Sequence, residues 1–169
     1  MNLYEYEETL INDGVKLIGG IDEVGRGPLV GPVVAACVIL PLNYELPGLN
    51  DSNKLTEKRR EEFYKILMQD AISIGIGIID EKIIDEVNIY EATKLAMKDA
   101  INNCQIKPEH VLIDAVKLDI DIPSTSIIKG DAKSKSIAAA SIVAKVSRDK
   151  AMSILSEKNK EYDKYKISK

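Results

Sequence analysis

Apolar residues recur along the chain with two spacings, every second residue and every third to fourth, and the alternation of these stretches predicts a mixed α/β fold. Leu17 to Asp22 reads as a strand followed by the turn-forming Gly25-Arg26-Gly27-Pro28, and Val30 to Leu40 is a second apolar run closed by Pro41. Their spacing predicts a hairpin. Asn43 to Lys54 has the Pro, Gly, Asn and Asp content of a loop. Thr56 is placed to cap a helix reaching about Gln69, with Phe63, Ile66 and Leu67 as its apolar face and Lys58–Glu62 as an i,i+4 pair. Between Ala71 and Ile79, Ile72, Ile74, Ile76 and Ile78 alternate with Ser73, Gly75 and Gly77, which predicts a third strand. Asn88 and Glu91 have capping-box spacing and open a helix to about Asn103, lined on one face by Ile89, Ala92, Ala96 and Ala100. His110 to Asp114 is a short apolar strand ending in an acid, and Ser126 to Ile128 is a candidate fifth strand. A long helix is predicted from about Ser134 to Lys158, and its first half, Ile137 to Val146, is apolar nearly all round and therefore buried. The expected architecture is a hairpin-containing sheet flanked by helices in one domain over residues 1–169.

Composition narrows the setting. The acidic start, Met1 to Glu8, is followed by no apolar run, and no apolar stretch approaches the roughly 20 residues of a membrane helix. Cys37 and Cys104 fall in a strand and at a helix end, as buried reduced thiols of a cytoplasmic protein do. Nothing in the pattern demands more than a monomer. The net charge of -4 conceals an asymmetry: Met1 to Ile128 carries 12 Lys+Arg against 22 Asp+Glu, net -10, whereas Lys129 to Lys169 carries 11 against 5, net +6. A basic quarter on an acidic body suits either a phosphate-holding surface or a solvated lysine-rich helix face.

Candidate chemistry centres on acids at strand ends. In Ile21-Asp22-Glu23-Val24-Gly25-Arg26-Gly27 an acidic pair closes an apolar strand. Two ionised carboxylates near 4 Å repel by about 4 kcal/mol at an effective dielectric of 20, a penalty that a hard divalent cation with oxygen ligands removes. The alternative is that Asp22 caps a turn and Glu23 faces solvent, since adjacent strand residues point to opposite faces. Asp114 also closes an apolar strand, and sheet proteins bind ligands beyond the carboxyl ends of strands. Asp131, in Lys129-Gly130-Asp131, is either a further ligand or a helix-start acid favoured by the macrodipole. Dinucleotide and P-loop glycine patterns are absent, as are G-x-S-x-G and clustered cysteines, and the single histidine, His110, reads as a strand-edge residue. Carboxylates with a metal remain.

These residues resemble the ribonuclease HII family. Gly20 to Pro32 (G-I-D-E-V-G-R-G-P-L-V-G-P) is similar to its opening motif, and Leu49 to Thr56 (L-N-D-S-N-K-L-T) to its second block. Val111 to Asp114 matches the strand carrying its third acid, and Lys129-Gly130-Asp131 with Ser136 to Asp149 is similar to its last long motif. The four blocks are in family order across about residues 17–152. The resemblance implies a ribonuclease H-like α/β fold, a central mixed five-stranded sheet flanked by helices. It implies metal-binding and catalytic roles for Asp22, Glu23, Asp114 and Asp131, with Mn2+ or Mg2+ as cofactor. The implied reaction is hydrolysis of the phosphodiester 5′ of a ribonucleotide, in RNA/DNA hybrids and in duplex DNA with embedded ribonucleotides. It further implies that Gly25-Arg26-Gly27 reads the ribose 2′-hydroxyl and that Lys54, Ser141 and Lys145 contact substrate, while Arg26 distinguishes the motif from the Gly-Thr-Gly of ribonuclease HIII. Two departures stand out. Asn53 occupies a position where the family commonly has lysine, and the sequence ends at Lys169 without the family's Gly-Tyr-Gly-Thr segment, so a reduced grip on substrate is expected of this stretch. Two other readings stay open: a different ribonuclease H-like nuclease of the resolvase type, and a non-catalytic nucleic-acid-binding module.

Overall fold

The computed structural model of the protein describes residues 4–25 and 31–167, with 159–167 described by backbone alone. Five strands form one sheet: β1 (Ile18–Val24), β2 (Val33–Ile39), β3 (Ser73–Ile79), β4 (His110–Asp114) and β5 (Ser124–Ile127). Their order is β3-β2-β1-β4-β5. β1 and β2 pair antiparallel as the expected hairpin, with Ile21 opposite Cys37, and β3 pairs antiparallel to β2. β4 runs parallel to β1, and β5 parallel to β4, so the sheet is mixed. β1 and β4 therefore end on the same side, with Ile21 level with Ile113.

Among the described residues five α-helices surround the sheet: α1 (Glu5–Asn12), α2 (Glu57–Asp70), α3 (Glu81–Val87), α4 (Ile89–Asn103) and α5 (Lys135–Ile167). The caps form where sequence spacing placed them: Thr56 Oγ1 accepts from the Arg59 amide at 3.2 Å, and Asn88 Oδ1 from the Glu91 amide at 3.0 Å. The 49–54 stretch, expected as loop, winds into a 3-10 segment (Leu49–Lys54). α1 and α3 were not expected. Both are short: α3 packs Ile84 and Val87 against the core without fully burying them, and α1 seats Leu10 and Ile11 beside its most deeply buried side chain, Glu7.

The sheet is covered on both faces. On one, Ile21, Val33, Ala35, Cys37, Val111 and Ile113 pack against Ala92, Ala96, Met97 and Ala100 of α4. On the other, Ala36, Val38 and Leu40 meet Phe63 and Leu67 of α2 and the buried first half of α5. A smaller cluster, Ile18, Leu112, Ile127 and Ile137, is closed by Leu10 and Ile11 of α1. Cys37 and Cys104 are both free and buried. Gly20 explains how α5 comes to lie across β1: a Cβ there would collide with the α5 backbone at Ser136. Among the described residues no helix is long and apolar enough to cross a membrane.

Candidate active site

Asp22 lies one residue past the Ile21–Ile113 pair and Asp114 ends β4, so the two acids lie level on neighbouring parallel strands, with β1 continuing to Val24 beside β2. Asp22 is buried and accepts the Glu23 amide on Oδ1 at 2.8 Å. Burial raises its carboxyl well above the usual carboxylate range, and the charges of Glu23 and then Asp114 push in the same direction. Asp131 sits in a 3-10 turn (Gly130–Ala132) between β5 and α5. Its carboxyl is also raised, first by burial and then by the charge of Asp114. The four acids singled out from sequence are thus linked electrostatically: Glu23 and Asp114 act on Asp22, and Asp114 acts on Asp131.

The backbone that carries them is held in costly conformations. Ala115, just after Asp114, has φ 59°, and Lys129, just before Gly130, has φ 55°. Non-glycine residues in the left-handed region cost of order 1–3 kcal/mol each and persist where the surroundings fix them, often at functional sites. Here the fixing is visible: the Gly130 amide donates to Asp114 Oδ1 at 2.8 Å, tying the β5–α5 turn to the end of β4.

The donor chemistry fits a hard divalent cation. Every candidate ligand is a carboxylate oxygen, and a cation would relieve the mutual repulsion that burial intensifies. Among the described residues no three acidic, histidine or cysteine side chains are already drawn together as a ligand set.

Beside the acids is a cavity of about 200 Å³, lined by Glu23, Val24, Ser52, Asn53, Arg60, Ser141, Ile142 and Lys145. Ser141 and Lys145, both singled out from sequence, belong to it, and Lys145 also pairs with Asp149 at 3.4 Å. Lys54 is exposed on the 3-10 segment and does not line it. Sequence reading missed Ser52 and Arg60. Arg60 lies one turn past the Thr56 cap, donates from Nη1 to the Leu55 carbonyl at 3.0 Å, and has a buried Nε with no hydrogen-bond partner. The adjacent basic pair Arg59-Arg60 was the available signal. Gly25 takes φ 108°, a conformation L side chains avoid, while Arg26 and Gly27 lie outside the described residues. Arg148, buried on α5, donates to the Pro32 carbonyl at 2.9 Å and so anchors the far end of the same loop. His110 contacts Thr125 Oγ1 at 2.9 Å, and burial lowers its pKa. It is a sheet residue at the start of β4, away from the strand ends that carry the acids.

Comparison with known proteins gives a consistent set of likenesses. The family model described as ribonuclease HII matches residues 19–166. Ribonuclease HII of Bacillus cereus strain B4264 is 58% identical over 158 residues, which cover 94% of this chain and 62% of the relative. The chain thus spans less than two thirds of the length of the curated relatives it matches. Among solved structures, ribonuclease H2 from Pyrococcus horikoshii OT3 superposes with a TM-score of 0.74 at 28% identity, covering 85% of this chain and 77% of that one. Bst-RNase HIII, solved in complex with Mn2+, superposes at 0.67 with 18% identity, covering 85% of this chain and 55% of that one, and shares the fold.

Proposed function

The chain belongs to the ribonuclease HII family, and from that premise we propose that it is a metal-dependent endonuclease that hydrolyses the phosphodiester 5′ of a ribonucleotide, in RNA/DNA hybrids and in duplex DNA with embedded ribonucleotides. The observation that carries this reading is the electrostatic linkage of acids from three separate stretches of the chain: Glu23 and Asp114 act on Asp22, and Asp114 acts on Asp131. These side chains would hold the divalent cation, Mn2+ or Mg2+. When bound, it supplies acidification of water and neutralisation of charge on the reacting phosphate.

The remaining work belongs to the chain's own residues. The Gly130 amide keeps the Asp114 carboxylate oriented. The Gly25 backbone, free of a Cβ, approaches the ribose closely, and with Arg26 and Gly27 offers partners to the 2′-hydroxyl that separates RNA from DNA. Ser141 and Lys145 border the cavity next to Glu23 and receive a substrate phosphate there, with the exposed Lys54 reaching the backbone further out. The 169 residues act as one catalytic domain, monomeric and cytoplasmic.

A duplex with one ribonucleotide, incubated with the protein and Mn2+, Mg2+ or a chelator, tests the reading. Metal-dependent nicking that leaves 3′-hydroxyl and 5′-phosphate ends is expected. Equal cutting of an all-DNA duplex would favour the resolvase-type alternative. Salt-sensitive binding with no metal-dependent nicking would leave a binding module.

A further inference from the structure

Helix α1 precedes the span matched by the family model, which begins at residue 19. Its apolar contacts, Leu10 and Ile11, already seat it on the cluster around Ile18 and Ile137. Yet its most deeply buried side chain is Glu7, 1% exposed. Burying a carboxylate is costly, and an apolar residue of similar size would fill the space without that cost. The hydrogen bonds show where this one is directed. Glu7 Oε1 accepts from Ser134 Oγ at 2.8 Å, and Ser134 is itself fully buried. Ser134 Oγ in turn accepts the Ile137 amide at 3.2 Å, capping α5. The Ser134 amide donates to the Gly130 carbonyl at 2.8 Å, and the Gly130 amide donates to Asp114 Oδ1 at 2.8 Å. Hydrogen bonds joined through the covalent frames of Ser134 and Gly130 therefore connect Glu7 to Asp114, and the turn they cross carries Asp131. That turn is entered through left-handed Lys129, a conformation that needs outside support. Lys135, next to Ser134, adds a second tie by donating to the Tyr44 carbonyl at 2.8 Å.

We propose that Glu7 is a positioning residue for the acidic centre: through Ser134 it fixes the 130–134 turn, and with it the Gly130 amide that orients Asp114 and the backbone that presents Asp131. The inference rests on the metal-site reading above and extends it to a helix outside the family-matched span. The Ser134 hydroxyl needs an acceptor oxygen from residue 7 and not a charge. Glu7 Oε2 has no hydrogen-bond partner, so the glutamine amide nitrogen takes its place without breaking a contact.

Calorimetric titration of Mn2+ into the metal-free 169-residue chain, alongside kcat and KM on the ribonucleotide-containing duplex, tests this. Glu7→Ala is expected to weaken Mn2+ binding roughly tenfold or more, as loss of groups that orient metal ligands does. It should lower kcat with KM little changed, and Glu7→Gln should restore both. Should Glu7→Ala not fold, Ser134→Ala removes the same link, and the same losses are expected of it. Wild-type Mn2+ affinity and kcat in the alanine variant, with only a lower melting temperature, would overturn the proposal, as would a glutamine variant as impaired as the alanine one. A wild-type chain that binds no Mn2+ would remove the metal-site reading and this inference together, whereas wild-type binding with unaltered variants removes the inference alone.

Discussion

At the scale of single residues, Asp22 carries opposing demands. Its position serves ligand chemistry, but burial and the neighbouring charges of Glu23 and Asp114 make its ionised form expensive in the metal-free protein. Asp22→Asn keeps an oxygen for the Glu23 amide and removes the charge. The variant is expected to lose metal-dependent nicking while its metal-free form melts higher than wild type at pH 8. Each 1 kcal/mol gained corresponds to about 2–4 °C for a chain of this size. Function and stability would then move in opposite directions at one site, as sites built for a ligand tend to make them. A melting temperature unchanged or lowered in Asp22→Asn would contradict this account of the buried carboxylate.

At the scale of elements, Asn88 joins α3 to α4 and does two jobs at once. It takes φ 78° and its side chain caps α4 through the Glu91 amide. Asn88→Ala loses the cap, worth about 1 kcal/mol, and also puts a Cβ without local hydrogen bonding into a left-handed conformation. Asn88→Gly tolerates the positive φ and loses only a few tenths of a kcal/mol as a cap. Urea unfolding should therefore place both the wild type and the glycine variant above alanine; alanine equal to glycine would show that the backbone conformation contributes nothing. The same junction shows what sequence reading reached. Caps such as Thr56 and Asn88 and the strand-end acids are local signals, so they were legible along with the five strands. In β3 the period of two was readable but its orientation was not: Gly75 and Gly77 face α4, whose backbone lies too close for a Cβ, while Ile74 and Ile76 pack on the opposite face and Ile78 is exposed. Helix α1 is only eight residues long, and its most deeply buried side chain is Glu7, which a polar–apolar pattern reads as surface, leaving Leu10 and Ile11 as its apolar signal. The approach of Asp131 to Asp114 depends on the parallel β4–β5 register and the turn after it, which no local spacing encodes. Ser52 and Arg60 enter the cavity wall through packing of the 3-10 segment and of α2 against α5, again a long-range arrangement.

At the scale of the whole molecule, the buried acids give stability a pH dependence of unusual sign. Glu7 is pushed up from about 4.5 to about 7, chiefly by burial, with the Ser134 hydrogen bond and then Lys135 working against the shift. Below pH 4.5 the group is protonated in both folded and unfolded chains and contributes nothing to the difference. Between 4.5 and 7 the unfolded chain releases its proton while the folded one keeps it, so the folded state loses ground as pH rises. Above 7 the loss levels off at a value on the order of 3 kcal/mol. Asp22 and Asp131 act in the same direction, and His110, whose pKa is lowered by burial, acts in the opposite direction below its ordinary value of 6.5. A bare pH–stability profile therefore mixes several groups. Subtracting the profile of Glu7→Gln isolates Glu7, because the distant groups titrate alike in both proteins and cancel. The variant is expected to match wild type near pH 5 and to become progressively more stable than it up to pH 8, measured by thermal melts of the metal-free proteins. A difference that stays flat from pH 5 to 8 would mean that Glu7 is ionised in the folded protein throughout, and its buried position would then require a cationic partner closer than Lys135 provides.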